Sequence, residues 1–346
     1  MYEPHDVSAE WLTEVLQRNG VDAVVATCEG QNIGTGQVGQ NVRFDLTYTH
    51  GSGPASVVGK FASEDPTSRT TGITQNNYLK EVHFYKHLKP LVNIRTPNVL
   101  HADLDDATGL FCLMMEDLNP AVQGDQIAGC DVKQARLALA EAARLHGPTW
   151  NLETLLEDEV VAPPDADPSA FNDLWQMVYP GFVDRYRHRL EPRHLQLLER
   201  FAGKFDGYMQ PPNAHFALIH GDFRPDNMLF GGPYPVAVVD WQTVAKGHPL
   251  QDVAYMLSGL HLAERRAHDR TLVREYHDAI TAQGVAGYDF DTCMADYARF
   301  SFAGLVMAVI ASMIVGQTDR GDDMFMAMAI GSAEQALDHN AEALLG

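Results

Sequence analysis

The chain has 346 residues, 45% of them hydrophobic, with 25 Lys and Arg against 46 Asp and Glu, a formal charge of -21. That acid excess leaves no basic surface to displace counterions from nucleic acid or to dock on an anionic membrane. The apolar fraction speaks against disorder and collagen-like structure, and the length suits two lobes better than one core.

Along the chain, Ser8 is placed to cap a helix through Trp11, Leu12, Val15 and Leu16 that Gly20 stops. Residues 21–28, 42–49 and 55–61 read as strands. Between the first two lies Gly34-Thr35-Gly36-Gln37-Val38-Gly39, which fits G-x-G-x-x-G. Glycines let backbone N–H groups approach phosphates; an ordinary hairpin turn is the plain alternative. A dinucleotide fingerprint would need a helix directly after the glycines, whereas 42–49 alternates as a strand.

Residues 77–88 have helical spacing and are stopped by Pro90. Two more strands are expected at 99–103 and 110–115. After Asn119-Pro120 the character changes to helix: 132–146, ending at Gly147-Pro148, then 169–190, 193–209, 249–260, 264–282 and several pieces from Phe290 onward. The acidic, Pro-rich stretch 153–167 reads as a solvated loop, and the most apolar run, 302–315, is too short to cross a bilayer and reads as a buried helix. The four cysteines, Cys28, Cys112, Cys130 and Cys293, lie far apart. They suggest neither a disulfide framework nor a zinc site, and fit a reducing cytosol. With no charged-then-apolar leader at the start, the expected location is cytoplasmic.

The chemistry concentrates in His220-Gly221-Asp222-Phe223-Arg224-Pro225-Asp226-Asn227, followed by the apolar run 236–239 and Asp240-Trp241-Gln242. An acid and an amide five residues apart share one loop, and a second acid ends a short strand. Phosphoryl transfer asks for that set, because its loose transition state is catalysed by positioning and charge neutralisation. Asp222 suits the group that orients the attacking hydroxyl and takes its proton. Asn227 and Asp240 suit Mg2+, which prefers hard oxygen ligands. Any one of these residues alone would be a turn former or a strand cap; the set with its spacing is more than that.

These residues, with Gly247-His248-Pro249-Leu250-Gln251-Asp252-Val253-Ala254-Tyr255, resemble the aminoglycoside phosphotransferase and choline-kinase superfamily, and within it the bacterial branch related to ecdysteroid kinases and hydroxyacyl-CoA kinases. The resemblance implies an α+β, bilobal, protein-kinase-like fold. Its β-rich nucleotide-binding lobe would span 1–118, with a hinge at about 115–119, and its helical lobe 119–346. It also implies ATP and Mg2+. Gly34, Gly36 and Gly39 would cover the phosphates. Lys60, in Val57-Val58-Gly59-Lys60, would grip them, held by Glu81 on the next helix. At the hinge, beside Met115, Glu116 would offer its carbonyl and Leu118 its N–H to the nucleotide base. Asp252 and His220 would brace the catalytic loop; His146 reads as a satisfied core residue. Arg224 lies beside Asp222 and is expected to pair with a nearby carboxylate, a phosphate or anionic acceptor being the alternative.

Phe171, Trp175, Tyr179, Phe182 and Tyr186 form an aromatic stripe at helical spacing, kinked by Pro180-Gly181, and the C-terminal helices carry Met307, Met313, Met324, Met326 and Met328. Core packing explains most of them; relatives place the acceptor pocket in this region, which would then be apolar. The expected activity is phosphorylation of a small-molecule hydroxyl, on a steroid-like or hydroxyacyl alcohol. An aminoglycoside or other antibiotic kinase and a non-catalytic nucleotide-binding pseudokinase are the alternatives. A protein kinase is disfavoured, because the short segment from Trp241 to Pro249 leaves little room for a peptide platform.

Overall fold

A computed structural model describes residues 2–33, 38–163, 168–212 and 215–346. The chain forms two compact units. The first comprises Met1–Pro90, Thr96–Ala121 and Val239–Thr243; the second comprises Leu91–Arg95, Val122–Val238 and Val244–Gly346.

The first unit is built on one antiparallel sheet. Helix α1 (Ala9–Arg18) starts at Ser8, whose hydroxyl accepts from the Trp11 N–H, a cap that contributes about 1 kcal/mol. Strands β1 (Ala23–Ile33), β2 (Gly39–Gly51), β3 (Ser56–Ala62), β4 (Val99–Leu104) and β5 (Phe111–Glu116) are ordered β1-β2-β3-β5-β4. The alternation read from sequence sets the faces. Val42, Phe44 and Leu46 of β2 turn inward with Val57 and Phe61 of β3, against Leu12 and Leu16 of α1. Burying a side chain of that size contributes about 1.5–3 kcal/mol.

Helix α2 (Pro66–Thr74) was not expected from the sequence. It buries only Gly72, so no apolar stripe announces it. Its signal is local: Asp65 caps the Ser68 N–H ahead of Pro66. Helix α3 (Asn77–His83) buries Tyr78, Glu81 and Val82 and continues as a π-helical turn, Phe84–Leu88, so the expected single helix 77–88 changes pitch midway.

The second unit is mainly helical. Its small sheets are β6 (Val122–Gln123), β8 (Met228–Phe230) and β9 (Val236–Val238) in one, and β7 (Ala217–Ile219) with β10 (Ala245–Gly247) in the other. Helix α4 (Val132–Thr149) runs past the expected stop with Pro148 inside its last turn. Pro148 cannot donate to the Arg144 carbonyl, and the Asn93 N–H bonds that carbonyl instead, at 3.0 Å. Helix α5 (Pro168–Tyr186) continues through Pro180, and the region 193–209 divides into α6 (Pro192–Ala202) and α7 (Phe205–Met209). In the 153–163 stretch, Leu155 and Val161 are buried and tie the expected solvated loop to the core.

Helices α8 (Leu250–Ser258), α9 (Leu262–Ala282), α10 (Phe290–Arg299), α11 (Ala303–Ile314) and α12 (Asp319–Asp338) complete the unit. The run Phe290–Ile314 is apolar and long enough to cross a membrane by composition, yet 78% of its window is buried, as for a core element. All four cysteines are unpaired thiols, and burial pushes Cys112, Cys130 and Cys293 up to about 12.

Candidate active site

In the first unit the chemistry gathers on the central strand. Lys60 sits opposite Asn41 of β2 and Leu113 of β5, so ladders on both sides fix its backbone. Its ammonium lies 2.8 Å from Glu81 Oε1, 2.7 Å from Glu81 Oε2 and 2.9 Å from Asp240 Oδ1. Burial alone would push the Lys60 ammonium down, but the charges of Asp240 and Glu81 outweigh it and hold it well above its ordinary value. For Glu81 burial is the leading influence and raises its carboxyl, with Lys60 opposing. Glu81 reaches this place because the buried face of α3 carries it inward with Tyr78 and Val82.

Asp240 has left-handed backbone, φ 69°, which costs a non-glycine residue about 1–2 kcal/mol. Its neighbour Trp241 is fully buried and stacks on Phe84, centroids 3.6 Å apart and planes within 3°. That stack fixes the segment that holds Asp240 against Lys60. Asp240 itself is 42% exposed at its side chain.

Of the glycine motif, Gly34 and Gly36 lie outside the described residues. Gly39 opens β2; a Cβ there would meet the Phe61 carbonyl at 3.2 Å and Lys60 Cε at 3.3 Å, a tight fit. The segment is tied down by Tyr78, whose hydroxyl donates to the Val38 carbonyl at 2.6 Å and whose ring stacks on Phe111.

Met115 and Glu116 end β5, opposite Val58 and Val57. The Glu116 N–H donates to the Asn98 carbonyl, and the Asn98 N–H donates back to Glu116 Oε1 at 2.8 Å. Leu118 is buried, and its carbonyl accepts from the Ala121 N–H. Asp117, to which the sequence reading gave no role, braces this stretch: Arg43 Nε donates to it at 2.7 Å, the Ser56 hydroxyl at 2.6 Å and the Asn119 N–H at 3.0 Å. Burial would raise the Asp117 carboxyl, but these donors overcome it and hold the carboxyl below the usual range.

In the second unit the loop after β7 is suspended from α8. The Asp252 carboxylate accepts from the His220 N–H at 2.7 Å and the Gly221 N–H at 3.0 Å. Gly221 has φ 81°, a left-handed turn that glycine takes without strain. His146 is buried between Asp252, 3.2 Å away, and the Tyr276 hydroxyl, 2.9 Å away, as expected of a satisfied core residue. His220 Nδ1 accepts from the Asp222 N–H at 3.3 Å.

Three side chains then hold the Asp222 carboxylate. Arg224 Nε reaches Oδ1 at 2.9 Å and Oδ2 at 3.1 Å; Asn227 Nδ2 donates to Oδ2 at 2.8 Å; and the Tyr255 hydroxyl donates to Oδ1 at 2.9 Å. Arg224 also bonds Asp226 Oδ2 at 2.6 Å. Burial would lower the Arg224 guanidinium, but Asp222 leads the charges that hold it raised. Burial, then the Asp222 charge, keep the Tyr255 hydroxyl protonated far above its ordinary range, so it serves as a constant donor. Tyr255 was missed in the sequence reading; its position three residues after Asp252, on the same face of α8, was the available signal.

Asn227 donates its Nδ2 to both the Asp222 carbonyl, at 2.7 Å, and the carboxylate. Its Oδ1 is therefore the end left to serve as a ligand. Among the described residues no three His, Cys, Asp or Glu side chains cluster to hold a metal. Mg2+ in phosphoryl transfer asks for less, taking one or two protein oxygens beside phosphate and water, and the donor chemistry of Asn227 and Asp240 fits that.

The aromatic stripe on α5 is packing for its buried members. Trp175 and Phe182 are fully buried, with Trp175 stacked on Phe205 at 4.5 Å. Tyr186 is buried with its hydroxyl on Asp322. Met324, Met326 and Met328 of α12 are core residues too.

Residues 46–299 match the family described as the phosphotransferase enzyme family. Among solved structures, the chain is similar to the GDP and kanamycin complex of an APH(2") enzyme, with 16% identity, coverage of 95% of this chain and 99% of that one, and a TM-score of 0.55. It is similar also to choline kinase from Cryptosporidium parvum Iowa II, with 12% identity, 91% of each chain and a TM-score of 0.52. At such identities these likenesses show the fold, which is that of the kinase-like phosphotransferases. A curated relative, acyl-CoA dehydrogenase family member 11 of Gallus gallus, is 47% identical over 49 residues, 14% of this chain and 6% of that protein's length.

Proposed function

This chain belongs to the phosphotransferase enzyme family, whose match covers residues 46–299, and from that premise we propose that it moves the terminal phosphoryl group of ATP to the hydroxyl of a small uncharged alcohol. It is a phosphotransferase with an alcohol group as acceptor; the donor, the metal and the kind of alcohol are our reading. The observation that carries it is the grip of Asn227 on Asp222, which aims one amide oxygen away from the acid it positions.

In this reading Asp222, held by Arg224, Asn227 and Tyr255, aligns the acceptor hydroxyl. It takes the proton as the oxygen forms its bond to phosphorus and the bond to the leaving diphosphate breaks. Lys60, braced by Glu81, grips the nucleotide phosphates, with Gly39 packed beside its side chain. Met115, Glu116 and Leu118 border the base. Asn227 and Asp240 supply oxygens to Mg2+, which, when bound, neutralises charge on the phosphates.

The hydrogen bonding beside Asp222 favours an uncharged acceptor. Arg224 bonds both Asp222 and Asp226, so an acceptor amine would have to share either acid with the guanidinium. The short likeness to a protein named for acyl-CoA adds hydroxyacyl compounds to the candidates, and the likeness to a kanamycin complex adds aminoglycosides. A panel of sterols, hydroxyacyl thioesters and aminoglycosides, read by phosphate-ester formation, separates these. The expected result is faster turnover of the uncharged alcohols; preferential turnover of aminoglycosides would replace this reading with an antibiotic kinase.

A further inference from the structure

Gln242 follows Asp240 and Trp241, and the roles assigned above leave it out. It is 7% exposed, and its Nε2 has no hydrogen-bond partner among the described residues. Buried polar groups are paired in the great majority of cases, so an amide donor left over in the core calls for a partner absent from the chain.

Its surroundings say what kind. A Cβ built on Gly39 would lie 3.5 Å from Gln242 Nε2 and 3.3 Å from Lys60 Cε. The glycine that ends the G-x-G-x-x-G motif therefore lets its backbone sit close to the Lys60 arm and the Gln242 amide, where a side chain would crowd them. Gln242 is not at the end of a loose segment. Trp241 before it is stacked on Phe84. Asp240, one residue further back, is bonded to Lys60 at 2.9 Å. A fixed N–H donor beside a lysine and a glycine backbone suits an anionic oxygen. A carboxylate in its place would add a third acid to Glu81 and Asp240 around one ammonium.

We propose that Gln242 Nε2 donates a hydrogen bond to a phosphate oxygen of the bound nucleotide, making Gln242 a nucleotide-binding residue alongside Lys60. This rests on the reading of Lys60 as the phosphate-gripping lysine. The test is calorimetric titration of ATP and of ADP into the wild-type chain, Gln242→Ala, Gln242→Met, Gln242→Glu and the double variant Lys60→Met/Glu81→Leu, each checked for a cooperative melt above the titration temperature. Gln242→Met keeps the volume and removes the donor. Both neutral variants are expected to raise Kd for both nucleotides about tenfold, about 1.4 kcal/mol. Gln242→Glu is expected to raise it further by repulsion.

If the neutral variants that fold bind as tightly as wild type while the lysine variant does not, the Gln242 assignment falls and the nucleotide site stands. If the lysine variant also keeps wild-type affinity, or the wild-type chain binds neither nucleotide, the assignment falls together with the site it rests on.

Discussion

Replacing Asp222 by Asn is expected to lower kcat by about 10^3-fold or more, a loss of several kcal/mol of transition-state stabilisation. The reason is local. The carboxylate can take a proton and an amide cannot, while the shape of the side chain is kept. The fold has no cause to fail with it. Arg224 retains Asp226 at 2.6 Å, Asn227 retains the Asp222 carbonyl at 2.7 Å, and the loop still hangs from Asp252 through His220 and Gly221. The check is steady-state kinetics on an acceptor from the panel, with nucleotide KM and melting temperature measured beside kcat. A variant that folds, binds nucleotide and turns over at the wild-type rate would remove Asp222 from the chemistry.

The second large effect is at Lys60. Lys60→Met keeps the bulk of the side chain but strands Glu81, which is 1% exposed. Removing one partner of a buried ion pair costs about 3–5 kcal/mol, because the remaining charge has lost its compensation. Glu81, already raised by burial, responds by taking a proton. The single variant should therefore melt well below wild type. Adding Glu81→Leu should restore most of that stability, because two apolar groups replace two charges. Nucleotide affinity should stay lost in both. Denaturant unfolding of the wild type, both singles and the double forms the cycle. A double variant no more stable than Lys60→Met would contradict a mutual dependence of the pair.

How much of this was legible follows from what each element rests on. Strand β2 alternates apolar and polar residues, so the face that Val42, Phe44 and Leu46 turn inward could be read directly. The Ser8 cap could be read from its residue type just ahead of the helical residues Trp11, Leu12, Val15 and Leu16, and Glu81 from the resemblance. Helix α2 could not, because Thr70, Thr71 and Thr74 bond the carbonyls four residues back and leave no apolar stripe. The end of α4 was misplaced because Pro148 reads as a stop, and only the structure brings Asn93 to the carbonyl that the proline cannot serve.

The site divides in the same way. Asp222, Asn227 and Asp240 announce themselves by spacing along the chain. Tyr255, which bonds Asp222, Asp117, which bonds Arg43 and Ser56, and the Gln242 amide, which has no partner among the described residues, depend on residues distant in sequence that only folding juxtaposes. Arg224 stood beside Asp222 in the sequence, but its double pairing, which bears on the acceptor, required geometry.

The measurement that bears most directly on the central claim is calorimetric titration of ATP with and without Mg2+, into the wild-type chain and Asp240→Asn. Asp240→Asn should fold, since Lys60 keeps Glu81 at 2.8 Å. The expected result is binding that tightens when Mg2+ is present, with that gain lost in the variant. Binding indifferent to Mg2+, or a gain that survives the substitution unchanged, would contradict a metal-assisted phosphotransferase that uses Asp240.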